Sequence, residues 1–299
     1  MTTTCSAPGK IYLFGEHAVV YGEPAIACAV EIRTRVTAKR SDTITICSDL
    51  GTTGLDFDIH PYISSAIEKL GSMNVLVDIS SELPVGSGLG SSAAVTIATL
   101  AAINIEFGLG YSKEELAGMG HEIEQKVQGA ASPTDTFVST FGGVVEIPAR
   151  KRLDMLDCDI VIGNTNKGAT PKKTAKLVKQ VAMLREEHPE VINPILKTIG
   201  SFAKKGEVLV KKKDYASLGK LMNVNHGLLD ALGVGTTELS ALVYAARSAG
   251  AFGAKITGAG GGGCMVALTD LPRKVASAIE RAGGRAIMTR ATAGGVLEE

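Results

Sequence analysis

The sequence predicts a protein in two halves of mixed helices and strands, of the α+β or α/β class. Three observations carry that prediction. The first third alternates polar and apolar residues with the two-residue period of strands. The region beyond Ile160 follows a mostly helical pattern. Between them, Pro148 and the charge cluster at 150–157 break both patterns. The expected division is 1–157 and 158–299, and 299 residues suffice for a sizeable core in such an arrangement.

The elements are read in chain order. Residues 10–14 and 25–37 are rich in Ile, Val and Thr, and 43–48 alternates in the same way, so all three read as strands. His60-Pro61 interrupts, and 63–70 is a short helix. A strand at 75–79 leads through a glycine-rich loop into a long helix of small residues at 91–107. Ser112 followed by Glu115 forms a capping box that opens a helix running to about Gln128. A loop at 129–135 and a strand at 143–147 complete the first half. A strand ahead of Lys167, helices at 174–185, 191–203, 215–232 and 237–248, then strands at 264–268 and 286–288 flanking a helix at 273–282, make the second.

Composition excludes several classes of function. Lys plus Arg and Asp plus Glu balance at 31 each, which gives no support for wrapping nucleic acid or adhering to an anionic membrane. Aromatics are only 4% and Trp is absent, so stacking platforms for exposed bases are scarce. Cys5, Cys28, Cys47, Cys158 and Cys264 are scattered with no CxxC pair, which indicates neither a disulfide framework nor a zinc site. No signal core and no bilayer-length apolar run is visible, so a reducing cytoplasm is expected.

The most informative local stretch is Pro84-Val85-Gly86-Ser87-Gly88-Leu89-Gly90-Ser91-Ser92-Ala93-Ala94. Its glycines let the backbone approach a ligand, and the helix that follows presents unpaired amides whose dipole favours phosphate. Ser91 and Ser92 add hydroxyls where one could coordinate a magnesium ion carried by a nucleotide. No Lys-Ser or Lys-Thr pair follows, so this is not a Walker A loop. The dinucleotide pattern GxGxxA fits locally, but the second strand with an acidic end is missing; a second helix follows instead. His121-Glu122-Ile123-Glu124-Gln125 fails as a zinc-protease motif at its last position.

Two more segments bear functional groups. Ala7 to Gly22 (APGKIYLFGEHAVVYG) carries Lys10 where a strand begins and Glu16-His17 in the loop beyond it. Lys255 to Leu268 (KITGAGGGGCMVAL) holds five glycines among six residues at 258–263, an entropic cost that points to close backbone approach.

Together these three segments resemble the motifs of the GHMP kinases, the superfamily of galactokinase, homoserine kinase, mevalonate kinase and phosphomevalonate kinase, across nearly the whole chain. GEHAVVYG is similar to the wording of the mevalonate kinases, in a compact archaeal-like form. The resemblance implies an α+β fold of two domains. The N-terminal α/β domain would be like domain 2 of ribosomal protein S5 and the C-terminal domain ferredoxin-like, with the active site in the cleft between. It implies ATP and Mg2+ as cofactors, mevalonate as substrate and a homodimer. It places residues 84–94 and Gly260 on the nucleotide, and Ser92 and Glu124 on the metal. Asp135 becomes the base that takes the hydroxyl proton, with Lys10 stabilising developing negative charge. Glu16, His17 and Thr174, with Lys10 and Asp135, would hold the substrate. The family has Pro-Ser-Gly before its aspartate where this chain has Ala131-Ser132-Pro133-Thr134, a displaced proline. Lys167, Lys172, Lys173 and Lys176 read as a solvated basic face or a carboxylate-binding neighbourhood, and Lys211, Lys212 and Lys213 as solvated surface.

Overall fold

The computed structural model describes residues 2–129, 132–165 and 171–299, the side chains of 171–173 excepted. Two sheets organise it. Strand β2 (Ala25–Arg40) is the spine of the first. It pairs antiparallel with β1 (Thr3–Phe14) along one edge. Its other edge is shared, with β6 (Val144–Ile147) on the first residues and β5 (Val75–Ser81) on the last. Beyond β5 lie β3 (Thr45–Ser48), which is parallel to it, and β4 (Gly51–Thr53). Strand β7 (Lys151–Leu153) pairs with β6.

Strand β1 begins seven residues before the expected start because Pro8 sits at a register shift between Pro8 and Gly9. A proline that donates no ladder hydrogen bond is tolerated at such a bulge.

Helix α1 (Pro61–Lys69), α2 (Ser91–Phe107), α3 (Lys113–Gln128) and α4 (Pro133–Phe141) cover this sheet. Helix α2 is buried on nearly every side, which its run of Ala, Ile and Leu permits. The Ser112–Glu115 capping box is formed in both directions. Helix α4 replaces part of the expected loop: Ser132 caps it by accepting from the Thr134 amide, and Pro133 occupies the first helical position. Asp135 therefore lies in the first turn of a helix.

The second sheet is antiparallel throughout, in the order β11 (Arg285–Thr289), β8 (Asp159–Asn164), β10 (Cys264–Thr269), β9 (Gly253–Ile256). Both faces of its central strands are covered. Ile160, Ile162, Cys264, Val266 and Leu268 join the core of the first sheet, with residues of α6 (Pro189–Lys211) and α7 (Tyr215–Ala231). Val161, Met265 and Ala267 alternate to the opposite core, under α5 (Pro171–Glu187), α8 (Thr237–Ser248) and α9 (Pro272–Arg281). Strand β9 was not expected, because its four residues Gly-Ala-Lys-Ile carry no clear period.

The chain finishes on the first sheet. The Val296 amide bonds the Thr140 carbonyl, and β12 (Leu297–Glu298) pairs with β1. Among the described residues all five cysteines are free, and no helix is long and apolar enough to cross a membrane.

Candidate active site

The three glycine-containing segments meet where β1, the start of α2 and the β9–β10 loop converge. The two glycine-rich loops touch backbone to backbone. A Cβ on Gly258 would lie 3.0 Å from the Gly88 carbonyl oxygen, and one on Gly263 would lie 2.7 Å from that of Ser87. Much of the glycine content thus lets two loops of the protein touch each other, rather than only admitting a ligand.

Within residues 84–94 the side chains divide. Val85 is exposed, Gly86, Ser91 and Ser92 are half-buried, and Ser87, Leu89, Ala93 and Ala94 face inward. The Leu89 carbonyl accepts from the Lys10 amide at 2.8 Å, which ties the loop to β1. Gly90 precedes α2 in left-handed conformation, and no side chain caps the first turn. The first amides of α2 therefore remain available to an anion, with the helix dipole behind them.

Lys10 is buried, and its ammonium has three neighbours. It lies 3.2 Å from Asp135 Oδ2. It donates to the Gly88 carbonyl at 3.3 Å. It also sits 4.4 Å from the centroid of the Tyr12 ring, a cation–π contact. Asp135 keeps a quarter of its side chain exposed while Lys10 keeps 3%. Gly90 makes room for this pair, since a Cβ there would lie 3.0 Å from Lys10 Cγ and 3.8 Å from Asp135 Oδ2.

On α3, Glu124 turns inward and Glu122 outward to Lys69. The Ser92 hydroxyl donates to Glu124 Oε1 at 2.7 Å. Burial, then the charge of Asp135, push the Glu124 carboxyl up to about 8. Such a group, beside a hydroxyl and hydrogen-bonded to it, is a hard-oxygen donor set that a divalent cation would relieve. Gln128, one helical turn on, donates to Glu124 Oε1 at 3.4 Å and Ser92 Oγ at 3.5 Å. Sequence reading passed over Gln128, although its spacing of four from Glu124 puts both on one helix face. The Tyr62 hydroxyl is buried near the same three side chains: burial, then the Glu124 charge, push its pKa up, opposed by Gln128 and Ser92.

Glu16 and His17 are also sequestered. The Glu16 carboxylate is buried, with Oε1 on the Lys255 ammonium and Oε2 3.5 Å from Asn225 Nδ2. Burial pushes the Glu16 carboxyl up and the Lys255 ammonium down, each opposed by the charge of the other. His17 adopts φ 61°, sparsely populated for a non-glycine residue. Its Nε2 lies 3.0 Å from the Ala259 carbonyl, which can only accept, so Nε2 carries the proton and Nδ1 is left as an acceptor. Burial pushes its pKa down, which keeps the ring neutral. Lys255 went unread in the sequence; its signal was a lone charge in an otherwise apolar strand.

The other expected positions lie further out. Gly260 packs on Val234, whose carbonyl accepts from the Gly261 amide at 2.8 Å. Thr174 is half-buried on α5 and Lys176 exposed. Lys167 and the side chains of Lys172 and Lys173 fall outside the described residues. Lys211, Lys212 and Lys213 are exposed, and Lys213 pairs with Asp157.

Comparison with known proteins identifies the family. The GHMP kinases N terminal domain matches residues 61–143, and the GHMP kinases C terminal domain matches 207–285. A mevalonate kinase of Pyrococcus abyssi is 45% identical, over 98% of this chain and 97% of its own. One of Thermococcus sibiricus is 44% identical, over 100% and 99%. The crystal structure of the Methanococcus jannaschii mevalonate kinase superposes with a TM-score of 0.85 at 30% identity, covering 97% of this chain and 98% of that one. With its mixed first sheet, its antiparallel second sheet and these full-length relatives, the chain belongs to the mevalonate kinases of the GHMP kinase family.

Proposed function

We propose that the protein transfers the terminal phosphoryl group of ATP to the primary hydroxyl of mevalonate, giving 5-phosphomevalonate and ADP in the mevalonate pathway to isoprenoids. Family membership supports the substrate. The observation that carries the chemistry is the Lys10–Asp135 pair, 3.2 Å apart, beside an uncapped helix N-terminus.

Phosphoryl transfer depends on positioning and on relief of charge rather than on covalent chemistry by the protein. Asp135, the more open member of the pair, accepts the proton as the substrate oxygen bonds to phosphorus and the bond to ADP breaks. Lys10 stabilises the negative charge that develops on the attacking oxygen. The α2 amides of Ser91 to Ala93, with the backbone of residues 84–90, hold the phosphates. Ser92 and Glu124 fit a magnesium ion, which would neutralise phosphate charge when bound, with nucleotide oxygens and water completing its shell. His17 Nδ1 offers an acceptor to the substrate, and Glu16 acts from behind it. Thr174 and Gly260 remain assigned from the family resemblance, to substrate carboxylate and nucleotide respectively.

The domain division at 157/158 is proposed on the ground that β7 and β8 lie on opposite sides of it, in different sheets. A homodimer and a cytoplasmic setting are carried over from the family and from composition, and light scattering tests the former.

The deciding experiment is ADP release by purified protein with magnesium-ATP and mevalonate, against phosphomevalonate, galactose and homoserine. Turnover of mevalonate alone is the expected result. Turnover of another alcohol instead would overturn the substrate.

A further inference from the structure

From the contacts around Tyr12 we infer that Lys255 is a positioning residue, which acts through Tyr12 and Glu16 to hold Lys10 on Asp135. The inference rests on the phosphoryl-transfer reading of that pair.

Lys255 and Thr257 are two residues apart at the end of β9, so their side chains leave the same face. Both reach β1 of the other sheet at one residue. Thr257 Oγ1 accepts from the Tyr12 amide at 2.8 Å. Lys255 Nζ lies 3.4 Å from the Tyr12 carbonyl, and it also donates to the Ile256 carbonyl at 2.6 Å and to Glu16 Oε1. Tyr12 is therefore gripped on both sides of its backbone by the third glycine segment. Its ring is the floor on which the Lys10 ammonium rests.

Charge adds a second constraint. Glu16 is buried with two cations in its field: Lys255, in contact, and Lys10, further off. While Lys255 neutralises Glu16, Lys10 is left to Asp135. Without the Lys255 charge, Glu16 becomes an uncompensated buried anion whose nearest relief is Lys10, and Lys10 must then serve two carboxylates. Removing both charges of the rear pair should return Lys10 to Asp135. A merely structural lysine predicts no such return.

The test compares wild type, Lys255→Met and Lys255→Met/Glu16→Gln in steady-state kinetics with mevalonate and ATP, alongside crystal structures. Expected for Lys255→Met is a kcat about 100-fold lower with the mevalonate KM within a few-fold, as for a misplaced catalytic pair. Its Lys10–Asp135 distance should exceed salt-bridge range, about 4 Å. The double variant should recover about ten-fold in kcat and restore the contact. A kcat for Lys255→Met within about three-fold of wild type, or a double variant no faster than the single, overturns the inference. Should Lys255→Met not accumulate as folded protein, Thr257→Val loosens the same grip without burying a charge. A drop in kcat of about ten-fold at unchanged KM supports the proposal there, and a change in melting temperature alone overturns it. Wild type inert toward mevalonate sinks the functional reading, while the Lys10–Asp135 distances in the structures still decide the role of Lys255.

Discussion

Lys10 with Asp135 and Lys255 with Glu16 are the same two chemical groups in two settings, separated by Tyr12. The first pair stands 3.2 Å apart with a quarter of the aspartate exposed. The second is in closer contact, with 0% and 1% of its side chains exposed. A carboxylate that trades a proton with a reactant has to be reachable, and its lysine has to be free to follow a changing charge. A carboxylate that fixes a loop does better sealed, with each oxygen committed to a protein partner. Burial and the supply of hydrogen-bond partners, not residue type, separate the two pairs and the roles we propose for them.

The largest way to break this comparison is at the open pair. Asp135→Asn keeps the shape and removes the proton acceptor, so kcat should fall about 10²–10⁴-fold while the melting temperature stays close to wild type. If kcat stays within a few-fold of wild type, the general-base assignment fails. Lys10→Met keeps most of the stem and removes the charge; a loss in kcat of about 10²–10³-fold is expected, with the mevalonate KM changed far less. A variant that only raised KM would make Lys10 a binding group.

A subtler contrast lies between two glycines. Gly90→Ala and Gly258→Ala each put a side chain on left-handed backbone, at φ 72° and φ 80°, for about 1–2 kcal/mol each. Their new Cβ atoms meet different neighbours: Lys10 Cγ at 3.0 Å for Gly90, and the Gly88 carbonyl at 3.0 Å for Gly258. Both should lower the melting temperature by several degrees. Gly90→Ala should in addition cost about ten-fold or more in kcat, because it pushes the reacting pair itself. Equal kcat losses would show that the two loops move as one body.

These contrasts mark how far the sequence could be read. The three segments, the capping box at Ser112 and the strand-rich first half were legible because each depends on residues close in the chain. The sequence singles out Asp135, but reads the first turn of the helix that carries it as loop. Ser132-Pro133 is a start signal, and the β-branched Thr134, Thr136, Val138 and Thr140 obscured the helix behind it. The inward turn of Glu16 was not readable, because β1 and the loop beyond it are buried on both faces and periodicity cannot choose between them. Lys255 escaped for the same reason at longer range. Its partners Tyr12 and Glu16 lie more than 230 residues away in sequence, and only the meeting of two sheets makes it intelligible.

The smallest expected effect tests the sealed side without touching the reacting groups. His226 lies on α7 next to Asn225, 4% exposed, with Nδ1 lacking a partner among the described residues. Burial, then the positive charges of Arg247 and Lys255, push its pKa down to about 4. In the unfolded chain the ring titrates near its ordinary 6.5, so between these values the unfolded state binds more protons than the folded one. Stability from this site is fully present above pH 6.5 and is lost as pH falls toward 4. His226→Gln removes that titration, so its melting temperature should fall by a few degrees less than wild type between pH 6.5 and 4.5. Parallel pH profiles for the two proteins would mean that His226 is already protonated in the folded state, with the rear pair less tightly sealed than its burial implies.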